Sequence, residues 1–202
     1  MKVGLFGGTF NPPHIAHLLV AESARSQFGL DQVWWIPAYE PPHKSDQQVT
    51  EYAHRMEMTR AAIADHPDFV ALDVESALPR PSFTINTIRA LQARYPEYTY
   101  FLIVGSDHLA HLNTWAEPES IVRHAKLLVY PRDGYDLRVS MSYLEESVHR
   151  INAPTMGLEG AYVRSLLHQG RSIRYLVCEP VRAYIAEHRL YDAPLEDATD
   201  ST

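Results

Sequence analysis

Residues 3–17 read VGLFGGTFNPPHIAH: a four-residue apolar run, two glycines, two prolines, then an apolar pattern that resumes at helical spacing. The opening run is too short for a helix and suits a buried strand, and the glycines and prolines turn the backbone sharply into the helical pattern. A strand followed by a helix, repeated along a chain, argues for a parallel sheet with helices on both faces. The same alternation continues down the chain. Strands are predicted at Lys2–Phe6, Gln32–Pro37, Phe69–Val74, Tyr100–Val104 and Lys126–Tyr130, with a weaker one near Val148–Ala153. Helices are predicted over His14–Phe28, stopped by Gly29, over Tyr52–Asp65, from a capping Thr84 to about Tyr95, and over Ser106–Leu112 and Trp115–His124. Residues Gly160–Tyr191 read as helical, broken at Gly170 and Pro180. The expected fold class is therefore α/β: a Rossmann-like, doubly wound parallel sheet with right-handed crossovers and a small helical C-terminal part. The expected organisation is a core over residues 1–156, a helical part over 157–191 and an acidic tail over 192–202.

Composition narrows the function. The 202 residues carry 18 basic and 25 acidic side chains, a net charge of -7, which argues against a nucleic-acid partner. One cysteine, Cys178, permits no disulfide within the chain and no cysteine-only zinc site, and it fits a reducing compartment. Gly7 and Gly8 break the N-terminal apolar run too early for a signal-peptide core, and no stretch approaches the roughly 20 apolar residues of a membrane span. A cytoplasmic protein with no membrane partner is expected. Eleven histidines are many for this length, but they show no zinc-ligand spacing.

In a doubly wound sheet the ligand crevice lies beyond the carboxyl ends of the strands. Chemically suggestive residues cluster there: Gly7–His17, Pro37–Lys44, Gly105–Asp107 and Pro131–Arg132. In the first turn, Gly7 and Gly8 let backbone N–H groups approach an anion, Thr9 adds a hydroxyl, and His14 and His17 share one face of a helix start. Glycines, a helix N-terminus and two imidazoles together make a phosphate site. The turn is neither a P-loop nor a dinucleotide fingerprint, since no G-K-[ST] and no G-x-G-x-x-G is present.

Gly7-Gly8-Thr9-Phe10-Asn11-Pro12-Pro13-His14-Ile15-Ala16-His17 resembles the G-[GS]-[TS]-F-[DN]-P-x-H-x-G-H signature of a nucleotidyltransferase superfamily, with Ala16 where that superfamily usually has glycine. Four further segments resemble bacterial nicotinate-mononucleotide adenylyltransferase. They are Pro41-Pro42-His43-Lys44, Pro81–Ile88 (PSFTINTI), Phe101–Asp107 followed by Trp115, and Ser172–Val177 followed by Val181, Tyr184, Ile185, Leu190 and Tyr191. The family's I-S-[ST]-T-x-[IV]-R segment is matched only in part. Leu158–Arg164 keeps the arginine but places Glu159, Gly160 and Ala161 at the hydroxyl positions, where a carboxylate would repel a triphosphate.

The resemblance implies transfer of AMP from ATP to nicotinate mononucleotide, with pyrophosphate released, in NAD biosynthesis. It implies a catalytic set of His14, His17 and Arg164, and an ATP site of Gly7, Gly8, Thr9, Phe10, His14, His17, Gly105, Asp107 and Arg164. It assigns Lys44, Thr84 and Trp115 to nicotinate mononucleotide, with Mg2+ entering on ATP rather than in a protein-built metal site. Alternatives at this stage are a same-fold transferase with another phosphorylated acceptor and a catalytically weak nucleotide-binding homologue; a homo-oligomer is compatible with either.

Overall fold

The computed structural model describes residues 1–41, 49–135 and 147–191. Six strands, β1 (Lys2–Gly8), β2 (Gln32–Pro37), β3 (Phe69–Ala71), β4 (Thr99–Gly105), β5 (Ala125–Tyr130) and β6 (Val148–Arg150), form one sheet in the order β3-β2-β1-β4-β5-β6. Every pairing is parallel. Among the described residues, seven helices connect these strands or come after them: α1 (Ile15–Phe28), α2 (Tyr52–Ile63), α3 (Thr84–Arg94), α4 (Ser106–Ala110), α5 (Pro118–His124), α6 (Gly160–His168) and α7 (Glu179–Glu187). The strand order reverses between β1 and β4, which opens a crevice at their carboxyl ends.

Period-two alternation sorts the strand side chains into two cores. Phe6, Trp35 and Ile103 point to one face, where they meet α1, α2 and the buried residues of α6 and α7. Val3, Leu5, Trp34 and Leu102 point to the other, where Ile85, Ile88 and Leu91 of α3 and Ile121 of α5 cover them. Gly29 ends α1 in the left-handed conformation, at φ 58°, as its sequence position predicts.

Several boundaries move. The strand at Phe69 ends at Ala71 rather than Val74, because it is an edge strand whose pairing to β2 stops at Trp35. Thr84 is the first residue of α3 and not its cap; Phe83 holds the cap position. The helix expected from Trp115 starts at Pro118, because Glu117 before it has φ 50°, which no right-handed helix accommodates, and Pro118 is preset for a first turn. Pro180 likewise sits in the first turn of α7 and opens that helix rather than breaking one. Cys178 precedes it, half-buried, with its thiol pushed up by burial. No helix among the described residues is long and apolar enough to cross a membrane.

Candidate active site

A cleft of about 540 Å³ opens over the carboxyl ends of β1, β2 and β4. Its lining includes Gly7, Gly8, Thr9, His14 and His17 from the first turn, Gly105 and Asp107 beyond β4, and Gly160 and Arg164 from α6. Thr84 and Trp115 lie in the same wall. Lys44 and His43 fall outside the described residues. A second cavity of about 190 Å³ lies beyond β5, against residues 153–159. Both cavities are lined by His14, His17, Asp107, Arg132 and Glu159, so the two histidines stand at their junction.

The first turn is rigid for reasons visible in its packing. Phe10 has φ 47° and is only 2% exposed. Its ring packs against Phe6, Trp35 and the edge of His17, at 5.1 Å in the last case, so it lines the cleft chiefly as the support of that histidine. His14 caps α1, and its backbone N–H donates to His17 Nδ1 at 3.1 Å. An acceptor at Nδ1 leaves the His17 proton on Nε2, where it can donate. The two imidazoles stack at 3.7 Å between centroids. His14 is 5% exposed, with no hydrogen-bond partner at Nδ1 among the described residues. Burial, then the charge of Arg132, holds its pKa down at about 4, so the ring is neutral near pH 7.

Asp107 follows the Gly105 turn closely. A side chain at Gly105 would place its Cβ 2.1 Å from Asp107 Oδ1, so this position admits only glycine while the carboxylate folds back there. Burial would raise the Asp107 carboxyl, but the adjacent His108 and Arg132 outweigh it and hold the group at about 2, ionised. Arg132 Nε stands 3.7 Å from Asp107, and its Nη1 stands 3.6 Å from Glu159.

The start of α6 departs from its expected chemistry in a specific way. Glu159 makes no side-chain cap bond to the helix; its carboxylate goes to Arg132 instead. A Cβ at Gly160 would lie 2.8 Å from the Asn11 carbonyl oxygen, so glycine permits α6 to approach the first turn. Arg164 Nη1 donates to that same carbonyl at 2.8 Å, and the Tyr191 hydroxyl donates to Asn11 Oδ1 at 2.7 Å. Asn11 thus ties the C-terminal helices to the first turn.

Trp115 is half-buried against the second core, with His108 edge-on at 6.0 Å. The sequence reading did not single out Asn11, Glu75 or Arg55. Arg55 had left a signal: it lies three residues after Tyr52 and four before Thr59, on the buried stripe of α2. A charged residue at an inward position needs partners, and three of its four, Thr9, Ala38 and Tyr39, lie 46, 17 and 16 residues away, in loops that sequence spacing does not bring to it.

Residues 5–169 match the cytidylyltransferase-like family. Among curated relatives, the chain is 46% identical over 191 residues to the probable nicotinate-nucleotide adenylyltransferase of Salinibacter ruber, covering 95% of this chain and 98% of that protein. It is 43% identical over 194 residues to the protein of the same name from Exiguobacterium sibiricum, covering 95% and 99%. Among solved structures, the nicotinic acid mononucleotide adenylyltransferase of Plasmodium falciparum complexed with NaAD superposes with a TM-score of 0.81, over 96% of this chain and 99% of that one. At 21% identity that likeness establishes the fold. Identity above 40% across nearly the whole of both bacterial proteins goes further, and by it the chain belongs to the nicotinate-nucleotide adenylyltransferase family, within the cytidylyltransferase-like fold.

Proposed function

We infer that this protein is a nicotinate-nucleotide adenylyltransferase, which moves AMP from ATP to nicotinate mononucleotide and releases pyrophosphate. The observation that carries the reading is the cleft that brings His14, His17, Gly160 and Arg164 together with Thr84 and Trp115. A reaction that joins two nucleotides through phosphate needs a donor-rich centre with room for a nucleotide on either side of it.

The acceptor phosphate is ionised near neutral pH, so no general base is required. One of its oxygens attacks the α-phosphorus of ATP while the bond from that phosphorus to the departing pyrophosphate breaks. Negative charge gathers on the α-phosphoryl and leaving oxygens, and catalysis consists of positioning and of donors aimed at that charge. His17 Nε2–H is such a donor, fixed by the bond at its other nitrogen. His14 starts neutral, and a bound phosphate favours its protonation, adding charge where it is needed. Arg164 and the first turn of α6, including Gly160, offer the β- and γ-phosphates a cation and backbone donors in residues 157–191. Gly7, Gly8 and Thr9 serve the phosphates from the opposite side, with Gly105 and Asp107 toward the ribose. Thr84 and Trp115 take the pyridine nucleotide, Trp115 by stacking.

Mg2+ would arrive with ATP and screen its phosphate charge. The donor set suits an ion held mostly by phosphate and water: Asp107 is the ionised carboxylate at hand, and among the described residues no group of three or more His, Cys, Asp or Glu is placed to hold a metal.

The test is pyrophosphate release from ATP with nicotinate and nicotinamide mononucleotides side by side. Release with the nicotinate compound is expected, and faster than with the amide. No release with either overturns the reading.

A further inference from the structure

Arg55 is 2% exposed and touches no substrate recess, yet its guanidinium donates four hydrogen bonds to main-chain carbonyls. Nη1 donates to Thr9 at 2.9 Å and to Ala38 at 2.8 Å, Nη2 to Tyr39 at 3.3 Å, and Nε to Thr50 at 2.8 Å. Thr9 belongs to the phosphate turn, 46 residues away in sequence. Ala38 and Tyr39 lead out of β2 on the acceptor side of the cleft. From Tyr39 the connection continues. Its N–H donates to the buried Glu75 at 3.1 Å, and the other oxygen of Glu75 accepts the Thr87 hydroxyl at 3.0 Å. Thr87 is buried on α3, the helix that opens with Thr84 in the cleft wall. The stretch is braced from outside as well, since Tyr39 packs on Tyr52 at 4.7 Å and Arg80 lies over Tyr39 at 4.5 Å.

A buried cation whose hydrogen-bond partners among the described residues are all carbonyls is a costly way to join loops, and an aliphatic side chain would fill the same space at less cost. What an aliphatic residue cannot do is fix the distance between three separate strands of backbone. The planar fork of arginine can, and lysine, a point charge on a flexible stem, cannot.

We propose that Arg55 and Glu75 are positioning residues that together form a strut setting the separation between the phosphate turn and the acceptor wall, and so govern the alignment of the two substrates in the transfer step. This rests on the adenylyltransfer reading. Arg55 is not in the cleft lining, and Glu75, which is, has its two carboxylate oxygens engaged by Tyr39 and Thr87; both act when attacking and attacked atoms must stand in line.

The experiment uses Arg55→Lys and Glu75→Gln in the full chain, each checked for native circular dichroism. For Arg55→Lys, kcat should fall by about tenfold to a hundredfold, the scale of an ångström of misplacement. The Kd of ATP and of nicotinate mononucleotide, each measured separately by calorimetry, should stay within about threefold of the parent, because uniform binding and alignment are separable. Glu75→Gln, which keeps shape and one acceptor oxygen, should show the same split at smaller amplitude. Amide exchange adds a readout independent of turnover: Arg55→Lys should speed exchange in segments 9–14, 38–40 and 82–87 together. Loosening confined to α2, an unchanged kcat, or equal weakening of both separate Kd values would each overturn the strut. A parent chain that releases no pyrophosphate would sink the activity reading instead, and the exchange pattern would still decide the strut.

Discussion

The turn at Gly7–His17 and the start of α6 at Glu159–Arg164 meet at the Asn11 carbonyl, and in the proposed reaction they would hold a phosphate by different means. The turn is built from inside: the buried, left-handed Phe10 and the stack of His14 on His17 fix each donor before any ligand arrives. The start of α6 has no such support. It has lost hydroxyls, placed a carboxylate at its cap, and gained in exchange a close approach that only glycine allows. One half is preorganised by packing and the other by backbone proximity, so they should answer differently to substitution.

The largest difference should appear at His17. Replacing it by alanine removes a donor aimed at the developing charge while the neighbouring rings Phe6, Phe10 and Trp35 still pack on one another. Turnover should fall by about a hundredfold or more, the scale seen for loss of one transition-state donor. Steady-state kinetics beside a melting curve checks it, and near-normal turnover would break the preorganised half of the comparison.

His14 supplies the next effect, on stability. Its pKa is held at about 4 in the fold against an ordinary 6.5, so the unfolded chain binds the extra proton first. Stability is therefore full above pH 6.5 and falls as pH drops toward 4, by about 3 kcal/mol for a shift of this size. Urea titrations at pH 7.5 and 4.5 should show this loss in the parent and a smaller one in His14→Gln. An equal loss in both would place the acid sensitivity elsewhere.

Much of this was legible in the sequence. Short apolar runs marked the strands and Gly29 marked the end of α1, because those signals are local. What escaped is long-range. The carboxylate of the left-handed Glu117 that delays α5 accepts from Nη1 and Nη2 of Arg89, 28 residues earlier, and nothing near Trp115 foretells that pair. Gly160 read as a lost hydroxyl, and only its 2.8 Å approach to Asn11 gives the glycine a purpose.

That purpose can be tested by restoring the family residue type. In Gly160→Ser the new Cβ meets a backbone carbonyl, which cannot rotate away as a side chain would. Overpacking of this kind costs about 1–3 kcal/mol, so the KM for ATP should rise about tenfold although a hydroxyl has been regained. A tighter ATP site would show that hydroxyl chemistry outweighs proximity here, and that the two halves differ less than their geometry implies.

The smallest effect should come from Glu159. Its side chain is 65% exposed and stands 3.6 Å from Arg132, so the pair is screened and its loss should hardly move the melting temperature. Its bearing on the ligand is different. Arg132 also faces Asp107, so two carboxylates claim the guanidinium at the junction of the cavities, and a triphosphate bound as proposed would compete with both. Glu159→Gln keeps the shape and removes one competitor. The KM for ATP should fall by about twofold to fivefold, within the roughly 1 kcal/mol or less that exposed ion pairs supply. The gain should shrink as salt is raised, because screening already weakens the carboxylate in the parent. A salt-independent gain would mean that the residue acts through shape. A loss of affinity would mean that Glu159 holds Arg132 in the orientation that ATP requires, and the α6 half would then be as preorganised as the turn.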